Sequence, residues 1–287
     1  MTAHTPAPPP APACPAASIV EPPVRFRDLI ASEWIKTRSL RSTWWALALT
    51  LAFVIGSAAA VALAEVGNLE GSGPNPTGNR DFLPFVAFPP AGYWPLMVVA
   101  TALGALTVVS EYASGLIRTT TVAVPARGAV VAAKAVVTAA LWSAVGAVVS
   151  TGSFLVSQAV LDGRHAGVPF AHPGVARALV ASALLAPVCS LVGLGIGALV
   201  RHGVATMVVG VFTLVMLPPV FSQSEPWSAA VNHAMPSSAW QRLVQSWEPD
   251  PSSLGHSATV AGSWIVYVLW PLIAVVLAVV VVRRRAV

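Results

Sequence analysis

The sequence predicts an all-α membrane protein with six transmembrane helices, and three observations predict it. Apolar residues make up 56% of the 287 and charged residues only 9%, against roughly 25% charge in soluble domains. Uncharged apolar runs of about 20 residues, the length that crosses hydrocarbon, recur along the chain. The basic residues gather at the ends of those runs.

In chain order, residues 1–23 are rich in proline with alanine, threonine and serine, and Glu21 is their only charge. That composition predicts a disordered cytosolic tail, and the lack of a basic start and apolar centre argues against a signal peptide. Residues 24–43 place Phe26, Leu29, Ile30 and Trp34 on one helical face, with most of the charges on the other. The stripe predicts an amphipathic helix lying at the membrane interface. The plainer alternative is a basic flank that holds the first span. Residues 44–287 then form one six-helix membrane domain, with spans predicted at about 44–64, 93–110, 135–161, 178–200, 203–221 and 260–282.

Charge sets the orientation. With both termini in the cytosol, 12 of the 16 basic residues fall inside and only Arg80, Arg164, Arg177 and Arg242 fall outside. An odd number of spans would put the terminal arginines on the wrong side. Arg201 and His202 alone form the predicted turn between the fourth and fifth spans. In the last outer loop, Trp240, Leu243, Val244 and Trp247 make a stripe at i, i+3, i+4 and i+7, predicting a short helix after Pro236. It reads either as a re-entrant or surface-lying cap, since tryptophan favours the interface, or as a loop helix packed against the bundle. Gly193 and Gly197 have the spacing of close helix contact, favouring packing within the chain over a dimer seam.

Missing motifs exclude several chemistries. Neither Lys36 nor Lys134 follows a glycine, so no phosphate-cradling loop is present and nucleotide would have to bind another chain. No histidine is followed by glutamate, no serine sits in a nucleophile elbow, and the two cysteines offer neither a disulfide framework nor a paired metal site. The chain is therefore expected not to be an enzyme and to carry no cofactor. The basic residues lie beside the spans rather than on one face, which argues against a nucleic-acid partner. Spans free of ionisable groups weigh against ion-coupled transport without excluding it.

Between the second and third spans lies a polar island, Glu111 to Lys134, in which Pro125 ends a short helical pattern. The order Glu111, Gly115, Arg118, Pro125, Arg127 and Lys134 resembles the conserved cytosolic segment in the permease subunits of type-2 ABC transporters. The stretch SEWIKTRSLRSTWW at 32–45 is similar to the approach to the first span in actinobacterial members. The resemblance implies that the island is a cytosolic coupling helix docking on a separate ATP-binding subunit. It further implies a second permease subunit, the lipid bilayer of a bacterial plasma membrane as surroundings, and export as the direction. Glu111 reads either as the group positioning that helix, paired with Arg118 or a partner's arginine, or as the end of span two reaching toward water. A non-transporting interaction or sensing subunit and a secondary transporter stay open beside the permease.

Overall fold

The computed structural model describes residues 25–71, 82–113, 127–248 and 256–284. Among them it contains ten α-helices and no strand. The predicted tail at 1–23 lies outside the described residues.

Helix α1, Phe26–Ser39, begins where the Asp28 carboxylate accepts the Arg25 backbone N–H at 3.0 Å, placing negative charge at the helix's positive end. It stops at Leu40, whose φ of −85° and ψ of 98° are extended, and α2, Arg41–Gly71, starts on the next residue. After the short α3, Pro84–Ala87, come α4, Pro90–Ala113, and α5, Arg127–Asp162. Helix α6, Val175–Val200, ends at Arg201 in a left-handed conformation, and His202 caps α7, Gly203–Val211, by accepting the Ala205 N–H at its Nδ1. The two-residue turn is the one the sequence predicts. Helices α8, Pro226–His233, and α9, Pro236–Val244, precede α10, Val260–Arg284.

Five of these helices, α2, α4, α5, α6 and α10, are long and apolar enough to cross a membrane, making the chain a candidate multi-pass membrane protein. The fifth predicted span, 203–221, differs. Its nine-residue α7 passes into a five-residue π segment, Phe212–Met216, and then a 3₁₀ turn, Pro218–Val220. The prolines explain the change of winding. Pro218 and Pro219 have no N–H for the preceding turn and their rings crowd its carbonyls, so the turn widens and the Leu217 N–H bonds Phe212 O at 2.8 Å.

Helix α6 is the centre of the bundle, packed against α4, α5, α7, α9 and α10, while α2 lies against α4 and α5. Glycine lets two backbones meet: a Cβ on Gly193 would fall 2.0 Å from Thr101 O of α4, and one on Gly104 equally close to Ser190 O of α6. The Gly193 and Gly197 faces are thus covered within the chain by Thr101 and Ala105. Polar groups in the same contacts bond their own helices, as Thr101 Oγ1 does with Met97 O. The outer surfaces are strongly apolar. Ile265, Val268, Leu272 and Ile273 on α10, Trp45, Leu49 and Phe53 on α2, and Val204, Val208 and Phe212 beside α7 are all exposed. A belt of this extent is foreign to a water-facing surface and suits lipid.

Candidate functional site

Four charged residues converge at the end that carries α1. Leu29, Ile30, Glu33 and Thr37 line the inward side of α1, and Glu33 is only 4% exposed among them. Lys134, about two turns into α5, is 5% exposed, and Glu111 lies in the last turn of α4. The Lys36 ammonium donates to Glu33 Oε1 at 2.7 Å and to Glu111 Oε1 at 3.0 Å. The Lys134 ammonium donates to Glu33 Oε2 and, at 3.0 Å, to the same Glu111 oxygen.

The four groups close a ring in which each carboxylate meets both ammonium groups and each ammonium meets both carboxylates. Its formal charge sums to zero, so a carboxylate that would oppose the negative end of the α4 dipole is held there by two cations. Burial alone would lower the Lys36 pKa. The Glu33 and Glu111 carboxylates outweigh it and hold this ammonium above the ordinary lysine value. The ring joins three elements that are far apart in sequence: the amphipathic helix, the end of α4 and the start of α5.

Sequence-predicted site residues distribute unevenly around it. Glu111 and Lys134 are brought together; Gly115, Arg118 and Pro125 lie outside the described residues, as does any Glu111–Arg118 contact, and Arg127 is described only as the first residue of α5. Leu29 and Ile30 are half-buried against the bundle, whereas Phe26 and Trp34 of the same stripe are exposed, as is Ile35 on the opposite side. Glu33 and Lys36 were missed as site residues. The available signal was an acid at 33 in register with Leu29 and Ile30, where an amphipathic stripe should have been apolar.

At the opposite end, the predicted α9 stripe enters the core. Trp240, Leu243 and Val244 are fully buried, while Trp247 lies beyond the helix, half-exposed and edge-on to Phe85. Trp240 stacks on Tyr93 with centroids 5.0 Å apart and gives its indole N–H to Ser182 Oγ at 3.1 Å. The helix is packed against α6 and α10. Two arginines hold its C-terminal turn. Arg177 donates to Leu243 O at 3.0 Å and Gln245 O at 2.6 Å, and Arg242 donates to Ala258 O at 2.8 Å while pairing with Glu248.

Among the described residues no group of three potential metal ligands occurs. The chain matches no protein-family model, and no curated protein matches it.

Proposed function

We propose that this chain is the membrane-spanning permease subunit of an ATP-binding cassette transporter, an exporter of the bacterial plasma membrane. It works with a separate cytosolic ATP-binding subunit and a second permease subunit, identical or related. In this reading both termini are cytosolic and the chain crosses six times. Five crossings are the long helices. The sixth is α7 with its π and 3₁₀ continuation, about 27 Å of helical rise against a hydrocarbon layer of about 30 Å.

The observation that carries the reading is the Glu33–Lys36–Glu111–Lys134 ring. The stretch that resembles a coupling segment runs in sequence from Glu111 to Lys134, and both of these ends are members of that ring. A push on the stretch therefore reaches α4 through Glu111, α5 through Lys134 and α1 through Glu33, which is the linkage a permease needs when its motor is another protein.

The test is purification from the native membrane and assay of the complex for ATP hydrolysis. An ATP-binding subunit is expected to co-purify. Exchanging residues 114–126 for a glycine-serine segment of equal length is expected to lower hydrolysis at least tenfold while the chain still inserts. The proposal is overturned by the lack of any nucleotide-hydrolysing partner, by hydrolysis indifferent to the exchange, or by transport that follows an ion gradient without ATP.

A further inference from the structure

The ring leaves the outside of α1 with an unbalanced charge. Arg25, Arg27, Arg38 and Arg41 are all exposed, whereas the two acids of the same stretch are Asp28, exposed, and Glu33, buried and held by Lys36 and Lys134. Asp28 is already engaged. One of its oxygens accepts the Arg25 N–H and the other lies 3.6 Å from Arg27 Nε, a contact between two largely exposed side chains and therefore of little weight. The exposed surface is also divided. Arg27, Ala31, Trp34 and Arg38 recur at i, i+4, i+7 and i+11 and make one flank of α1, while Asp28, Ser32 and Ser39 make another. The first flank continues past Leu40: the Trp44 indole N–H donates to Arg38 O at 3.2 Å, and Trp44 and Trp45 are exposed where the apolar belt of α2 begins.

We infer that this flank, Arg27, Trp34 and Arg38 with Arg41 and Trp44 across the joint, is a docking surface for the headgroups of anionic phospholipid. Each guanidinium presents a planar fork of donors that matches phosphate oxygens, and an indole ring rests at headgroup depth with its apolar body toward the hydrocarbon. Charge complementarity selects the lipid class: a zwitterionic headgroup carries its own cation and offers no net charge to four arginines that face one exposed carboxylate. Continuity selects lipid over a soluble polyanion, which would use the arginines but not the tryptophans. The flank runs through Trp45 into Leu49 and Phe53, the exposed apolar side of α2. Leu29 and Ile30 turn toward the bundle, so contact with lipid falls to Trp34 and the arginines beside it. The surface goes beyond the permease reading and does not depend on it, because it needs a bundle in a membrane but neither nucleotide nor motor.

The experiment titrates the full chain in dodecylmaltoside micelles with dioctanoylphosphatidylglycerol, with dioctanoylphosphatidylcholine as the zwitterionic control, and reads Tm. Phosphatidylglycerol is expected to raise the Tm of wild type at concentrations where phosphatidylcholine does not. Arg27→Gln and Arg38→Gln should each raise the half-maximal concentration roughly fivefold, the effect of one arginine near an anionic surface, and together roughly twenty-five-fold. Trp34→Ala should weaken the same titration. Both arginines are exposed, so the lipid-free Tm of their variants should stay within about 1–2 °C of wild type. Salt at about 0.5 M gives a reading that needs no substitution: it should weaken phosphatidylglycerol binding to wild type. The surface is overturned if the two lipids titrate alike, or if the double variant or the salt leaves the phosphatidylglycerol titration unchanged. It is overturned equally if soluble poly-glutamate raises Tm as well as phosphatidylglycerol while Trp34→Ala has no effect, which would assign the flank to an acidic protein.

Discussion

Replacing Lys134 with methionine should be among the most damaging single changes available in this chain. The methionine fills similar volume, so the loss is electrostatic. It leaves Glu33 and Glu111 sharing the Lys36 ammonium alone, and the Lys36 side chain is 47% exposed while that of Glu33 is 5% exposed. A carboxylate buried to that degree is outside the class of surface pairs worth about 0–1 kcal/mol. Removing one partner of a buried pair costs about 3–5 kcal/mol, because the other charge stays behind uncompensated. For a chain of this size that is a fall in Tm of about 6–20 °C, readable by circular dichroism in nanodiscs. Adding Glu33→Gln to Lys134→Met removes one charge of each sign and leaves the Lys36–Glu111 pair intact. The double variant should therefore be more stable than the sum of its singles by more than about 1 kcal/mol. Lys36→Met, at the wet side of the ring, should cost only about 1 kcal/mol. If Lys134→Met costs under about 1 kcal/mol, or if the two changes simply add, the ring is screened by water and cannot transmit a load.

Three other outcomes follow from the same structure. Gly193→Ala should destabilise by at least about 1–3 kcal/mol, because its Cβ would lie 2.0 Å from Thr101 O, whereas Gly56→Ala, with open space around it, should be close to neutral; comparing Tm values checks this. Arg177→Met leaves the carbonyls of Leu243 and Gln245 without their cationic donor and should loosen α9 by about 1.5–3 kcal/mol, seen as faster amide exchange in residues 243–245. The Lys36 pKa lies above 10.5, so the stability it adds is fully present below that value and is lost as pH rises through the folded pKa. Lys36→Met should thus have no effect on the pH dependence of Tm between 6 and 9 and should flatten it only in the alkaline range; a Lys36-dependent loss near neutrality would contradict the ring.

The long helices were legible because a membrane imposes a crude rule on composition. Runs without charge had to be helices, and α2, α4, α5, α6 and α10 extend a few residues beyond the predicted spans since helical geometry continues past the apolar part. The span at 203–221 was legible as apolar but not as π-wound, since two adjacent prolines signal a disturbance without saying how the turn absorbs it. The α9 stripe was legible as a helix, but tryptophan suits both a membrane surface and a packed core with one polar contact. What its indole meets, the Tyr93 ring and the Ser182 hydroxyl, is set by other helices and is not written in its own segment. The charged ring was hidden for a related reason. Glu111 invites pairing with neighbours on its own segment, while its actual partners stand 75 and 23 residues away.

Leu40 gives the attachment of α1 its mechanical character. A single non-helical residue separates α1 from α2, and one extended residue reaches at most about 3.6 Å. Glu33, pinned to Lys134, sits about 10 Å along the helix from that joint. The tether is too short to take up slack. Any swing of α1 larger than one residue's reach must tow the near end of α2 with it, so the amphipathic helix behaves as a crank on the first long helix and not as a float.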